Sequence, residues 1–339
     1  VEVIHPQHLW VTAAVTALGT RLFGRFGEGK GKSKDEINRV KKDADAISAY
    51  AMSESLWFAS RQLPENHAIM VCLGEGLMPK MGETPEMGSN PQLGFGRIYA
   101  RPQVAQWLDH RVARMLNDDK YTWERFYDEV KNAGITIYGA AIDTLENTSR
   151  FAKGGETGPM TVLHLFDQPL RIARPYEGYM GNLFLPREVV DRAADKSVLV
   201  DFRTPRALVM EAIRDTYPGI RPEDVHVWTL GGSSREERIG GLWDEWRKLG
   251  VHLVEEEWDL PTGLGAFLDS GTYAPVYLVG TWQHGGRTQL FVCDGYAASA
   301  EAMQAASLAR IFGLDASLAV FTSKFKLSYK QEQRVMRLD

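Results

Sequence analysis

The stretch Ile135-Thr-Ile-Tyr-Gly-Ala-Ala-Ile-Asp-Thr-Leu-Glu-Asn-Thr-Ser149 decides how this chain is read. Its first half, Ile135 to Ile142, is an apolar run of strand length, the pattern of a buried strand. It delivers Asp143 at its carboxyl end, Glu146 three residues on, and then the hydroxyl of Thr148. Two carboxylates and a hydroxyl on a tight turn after a strand suit a hard cation and the water it activates. Asp, Asn and Thr are also ordinary turn formers, so the motif alone fits a plain turn as well. A second apolar strand, Ala68-Ile-Met-Val-Cys-Leu-Gly-Glu-Gly76, again ends on a carboxylate, Glu75.

The chain has 339 residues, 44% of them hydrophobic, enough for a substantial core and for two domains or one large α/β unit. The net charge of −5, with basic residues mixed among acidic ones, lacks the footprint of a nucleic-acid binder. No apolar run approaches the roughly 20 residues that span a bilayer. The opening Val1-Glu-Val-Ile-His-Pro6 shows no signal-peptide pattern, so the expectation is a cytoplasmic chain without membrane or nucleic-acid partners. Cys72 and Cys293 lie inside apolar runs and read as buried free thiols of a reducing compartment.

Helical spacing predicts helices over His8–Phe23 and about Asp35–Gln62, joined by a charged, glycine-rich connection. Met78 to Arg97 reads as an irregular loop, followed by helices near Val104–Leu116 and Trp123–Ala133. Met160-Thr-Val-Leu-His-Leu-Phe166 reads as the sheet neighbour of the Asp143 strand. From about Lys196 strands and helices alternate. Strands are expected at Val198–Asp201, Val225–Leu230 and Val251–Glu255, and helices at Arg206–Thr216 and Arg235–Leu249. A hairpin over Pro275–Trp282 and Thr288–Cys293 and a helix over Ala298–Ile311 follow. The fold class is α/β: an α+β domain over 1–195 with a helical insertion at about 98–133, then a mainly parallel α/β domain over 196–339.

Gly31-Lys32-Ser33 invites a phosphate-loop reading, but the pattern requires glycine where Phe26 stands, and a helix rather than a strand precedes it. The eight histidines contain no pair at zinc-ligand spacing with a third ligand nearby. Lys41 and Asp45 are four apart on one helix face, where a solvated ion pair is the plain alternative to a site. Asp294 follows the strand Leu290-Phe-Val-Cys293 and precedes Gly295, so an Asx turn explains it as well as a ligand role does.

Taken in order, these pieces resemble the bacterial class II fructose-1,6-bisphosphatases, relatives of the lithium-sensitive inositol phosphatases. That superfamily's Asp-Pro-Ile/Leu-Asp/Glu-Gly-Thr motif corresponds to Asp143-Thr-Leu-Glu-Asn-Thr148. Its Gly-Glu-Gly turn is Gly74-Glu75-Gly76, and its Lys-x-x-Ala-Asp helix end is Lys41-Lys-Asp-Ala-Asp45. More loosely, Leu199-Val-Asp-Phe-Arg-Thr-Pro205, Arg247-Lys-Leu-Gly-Val-His-Leu-Val254 and Asp294-Gly-Tyr-Ala-Ala follow its second half. The resemblance implies a layered sandwich of helices and two sheets. It also implies hydrolysis of the 1-phosphate of fructose 1,6-bisphosphate or of sedoheptulose 1,7-bisphosphate, in a homo-oligomer. Mg²⁺ or Mn²⁺ would be gathered by Asp45, Glu75, Asp143, Glu146 and Asp294, with Thr148 orienting the water and Lys41 beside the phosphate. Arg235, Arg238, Tyr179, Ser149 and Lys153 become the substrate contacts.

The chain departs from that pattern. Thr144 stands for the motif proline, Asn147 for its glycine, and Leu77 for a second acid after the Gly-Glu-Gly turn. Phe184 or a neighbour stands near a substrate-binding tyrosine that Tyr179 would replace, and Leu230-Gly-Gly-Ser-Ser234 lacks the family's Lys-Pro. Glu75 and Asp143 lie further apart than in the family, which the helices at 104–133 explain. Three functions follow: the sugar bisphosphatase, a non-catalytic sugar-phosphate binder, and a nucleotide-dependent enzyme using Gly31-Lys-Ser33.

Overall fold

The computed structural model describes residues 6–74, 93–94, 96–118, 120–155, 159–166, 179–229, 236–254, 278–298, 316–323 and 334–338. The chain has an α/β fold and divides into two compact units, Val1–Glu177 and Gly178–Asp339.

In the first unit, helices α1 (Pro6–Phe23) and α2 (Lys34–Ser60) lead into strand β1 (His67–Leu73). Strand β2 (Ile98–Ala100), helices α3 (Pro102–Asn117) and α4 (Trp123–Asn132) and strand β3 (Thr136–Glu146) follow. The short helix α5 (Thr148–Ala152) and strand β4 (Met160–Phe166) complete it. The sheet order is β2-β1-β3-β4, with β1 and β3 parallel and both edges antiparallel. Alternation along β1 and β3 supplies both faces. Ile69, Val71, Tyr138, Ala140 and Ile142 pack with Ala49, Met52 and Leu56 of α2. Ala68, Met70 and Ile137 turn the other way, onto Leu108, Val112, Phe126 and Val130 of α3 and α4. The segment expected as an insertion therefore furnishes an edge strand and the cover of one sheet face.

The second unit contains β5 (Tyr179–Pro186), α6 (Arg187–Asp195), α7 (Arg206–Thr216), β6 (Val225–Trp228), α8 (Glu236–Lys248) and β7 (His252–Val254). It continues with β8 (Gly280–His284), β9 (Arg287–Ala298), β10 (Ala316–Ser323) and β11 (Arg334–Leu338). The order is β11-β10-β5-β9-β6-β7, with β8 as a hairpin on β9. One face carries a core of Leu183, Leu185, Val225, Val227, Leu290 and Val292, covered by Val189, Val209, Ile213 and Trp246.

Three expectations are corrected here. The units part ahead of β5 rather than at 195/196, because β5 is hydrogen-bonded between β9 and β10 of the second sheet. That sheet is mixed, parallel only where β6 meets β7 and β9. Val198–Asp201 forms no strand; it is a connection in which the Asp201 amide donates to Thr204 Oγ1 at the entry to α7. The expected helix over Ala298–Ile311, the start of the hairpin at Pro275 and most of the Met78–Arg97 loop lie outside the described residues. Among the described residues no helix is long and apolar enough to cross a membrane.

Candidate functional site

The acidic turn forms where β3 gives way to α5. Register between β3 and β4 runs from Asp143↔Val162 to Glu146↔Met160, so one extra residue on β3 makes a β-bulge. Thr144 and the next residue, Leu145, both turn to α2: Thr144 Oγ1 lies 2.7 Å from Ser48 Oγ, and Leu145 packs with Ala44 and Phe151. Strict alternation would send Asp143 and Glu146 to opposite faces. The bulge absorbs one residue, so both carboxylates fall on the same face of the strand, and both are buried. Asp143 Oδ1 accepts from the Leu145 amide at 3.0 Å, which pins the turn.

Asn147, in the left-handed region at φ 64°, then turns the chain into α5. Glycine is at ease in that conformation, and asparagine is the best-tolerated side chain there. Thr148 opens α5, and its Oγ1 donates to Asp45 Oδ1 on α2 at 3.2 Å, with Leu145 O as an alternative acceptor at 3.0 Å. Ser48 Oγ, one turn along α2, donates to Asp45 O. Two hydroxyl contacts thus tie α2 to the strand–helix turn. Sequence reading missed Ser48 and the useful side of Thr144: a hydroxyl replaces the motif proline and bonds where proline has nothing to offer.

The structure joins Thr148 to Asp45 of α2, whereas Asp143 and Glu146 share the face of β3 opposite to the one that Thr144 and Leu145 turn to α2. Lys41 is half-buried one turn before Asp45, while Ser149 and Lys153 are exposed on and just after α5. Glu75, Leu77 and Arg235 lie outside the described residues, as do the side chains of Tyr179 and Arg238, which occupy β5 and α8. Among the described residues no three His, Cys, Asp or Glu side chains form a group fit to hold a metal ion.

Asp294 requires a correction. Its side chain is wholly buried in the second unit, and Arg206 Nε and Nη2 donate to its two oxygens at 2.6 and 2.8 Å. Trp246 Nε1 adds a third bond at 2.6 Å. A carboxylate so engaged is an interior counter-ion for arginine rather than a cation ligand. Phe184, the neighbour of the expected tyrosine position, is fully buried in the same sheet.

Gly31-Lys32-Ser33 has a local explanation. Ser33 caps α2, its Oγ accepting from the Glu36 amide while its own amide donates to Glu36 Oε2 at 3.1 Å, a capping box. Both cysteines are buried free thiols, and burial pushes the Cys293 thiol well up.

Two of the histidines, His226 and His252, are linked to each other. Gln289 Nε2 donates to Asp224 Oδ1 at 2.9 Å, which turns Gln289 Oε1 toward His226 Nε2 at 2.8 Å. That nitrogen must then carry the proton, and the neutral ring accepts at Nδ1 from His252 Nδ1 at 2.8 Å. Burial depresses the His226 pKa, in keeping with a neutral ring. Parallel pairing of His226 with His252 across β6 and β7 creates the contact, which no spacing along the chain reveals.

Comparison with protein-family models and with curated proteins finds no match for this chain.

Proposed function

We propose that this chain is a divalent-metal-dependent phosphomonoesterase of the cytoplasm that removes the 1-phosphate of fructose 1,6-bisphosphate, sedoheptulose 1,7-bisphosphate being also allowed. The observation that carries the reading is the Thr148–Asp45 hydrogen bond, which joins the α2 acid to the Asp143–Glu146 turn. The resemblance would have Asp45, Asp143, Glu146 and Glu75 supply the oxygen donors that Mg²⁺ or Mn²⁺ takes, although Asp45, Asp143 and Glu146 do not stand grouped around a common point. Such an ion would supply charge neutralisation at the phosphate.

The protein's own groups have definable roles. The single Thr148 proton is directed to Asp45 or to Leu145 O, leaving the hydroxyl lone pairs to accept from a water and orient it. Lys41 places a cation beside the phosphate as a point charge. Ser149 and Lys153 would contact the same group, and the resemblance assigns Arg235, Arg238 and Tyr179 to the non-reacting phosphate, where a guanidinium binds bidentately.

Phosphate release from fructose 1,6-bisphosphate with Mg²⁺ or Mn²⁺ tests this. Turnover abolished by chelator, by Asp143→Asn and by Thr148→Ala is the expected result. Absence of turnover in the unmodified chain defeats the proposal. A sugar-phosphate-binding protein without turnover is the second reading, favoured by the engagement of Asp294 with Arg206 and Trp246. Binding of the bisphosphate without hydrolysis would establish it, and release from a different phosphomonoester would change the substrate alone.

A further inference from the structure

Helix α1 is built inside out. Its buried stripe is Thr12, Thr16 and Thr20, each hydroxyl donating to the carbonyl four residues earlier at 2.7–2.8 Å. Small residues let α1 lie close against α2: a Cβ on Gly19 would sit 3.4 Å from that of Ala51. Apart from Leu9, which packs on the core, the large apolar side chains point away. Trp10 is 80% exposed, Leu18 63% and Leu22 72%, and Val11, Val15 and Phe23 are exposed beside them. On α2, Tyr50 and Phe58 are exposed as well. A surface helix ordinarily buries its large residues and exposes small polar ones, so this outer face has the composition of an interior.

Val11, Val15, Leu18 and Leu22 follow a four-three-four spacing, the seam by which two helices pack along each other. The seam also maps onto itself when reversed. Two antiparallel copies centred between Thr16 and Ala17 set Val11 against Leu22 and Val15 against Leu18 in every layer. Arg21, the basic residue of the last turn, would then lie at opposite ends of the contact, whereas parallel copies would set the two side by side. Trp10, Val11, Val15, Leu18, Leu22 and Phe23 are all exposed on this one helix, a contiguous apolar face of the kind that an interface burying ~800 Å² per partner covers. A membrane-surface helix would carry lysines and arginines on its polar face, and the opposite face of α1 is threonine packed into the unit.

We propose that α1 forms an antiparallel, two-fold contact with α1 of a second copy of this chain. Sedimentation of the full chain at micromolar concentration should give twice the chain mass. Leu18→Glu should sediment at the chain mass with unchanged far-ultraviolet circular dichroism, since residue 18 is exposed within one copy. Under mild oxidation the double variant Val11→Cys with Leu22→Cys should cross-link into dimers, and neither single variant should. A monomeric unmodified chain, a dimer that survives Leu18→Glu, or cross-linking by Val11→Cys alone would each overturn the proposal. So would a monomer that binds phosphatidylcholine vesicles through α1, which would assign the face to lipid.

Discussion

Thr148 Oγ1 lies 3.2 Å from Asp45 Oδ1, a hydrogen bond between residues 103 positions apart. It closes the acidic turn against α2, and with Leu145 O as the other acceptor it confines the threonine proton to these two directions. Thr148→Ala should abolish phosphate release while lowering stability by only about 1 kcal/mol, the usual net worth of one such bond. Thr148→Ser, which keeps the hydroxyl, should retain activity. Equal turnover by all three proteins would remove Thr148 from the chemistry.

The turn itself depends on Asn147. At φ 64° a β-branched side chain is strained, whereas glycine is at ease. Asn147→Gly should leave urea unfolding within a few tenths of a kcal/mol, and Asn147→Val should cost about 1–2 kcal/mol. A neutral valine variant would show that the left-handed turn is not required.

Asp294 and Arg206 form a buried ion pair in the second unit. Asp294→Ala strands the guanidinium and should cost about 3–5 kcal/mol. The loss should be the same with Mg²⁺ and with chelator, measured by urea unfolding. A loss that appears only when metal is present would return Asp294 to the ligand set.

His164 on β4 gives the first unit a pH limit. Burial lowers its pKa from 6.5 to about 4, so the ring is neutral in the folded chain and ionises more readily in the unfolded one. The unfolded state therefore binds more protons below pH 6.5. Its contribution is fully present above that pH and is lost as the pH falls toward about 4. The loss amounts to roughly 3 kcal/mol at most. Melting temperatures across this range should fall less steeply for His164→Leu than for the unmodified chain; parallel curves would assign the acid lability elsewhere.

The local chemistry was legible in the chain. Apolar runs marked β1 and β3, helical spacing marked α2, and the acidic turn stood out because its residues are adjacent in sequence. These features depend on contacts within a few residues, which spacing encodes directly. Asp294 was misread for the opposite reason. An acid before a glycine looks like a turn or a ligand, and only the fold brings Arg206 and Trp246 to its two oxygens.

By itself, then, the sequence determined an α/β chain with an acidic strand–turn–helix motif, because periodicity and turn chemistry are local. The tertiary structure alone decided that Thr148 meets Asp45, that one bulge sets Asp143 and Glu146 on a common face, and that β5 belongs to the second sheet. It also decided that α1 hides its threonines and exposes Trp10, Leu18 and Leu22. Each of these depends on pairing across long separations, where register and close packing, rather than composition, choose which face is buried.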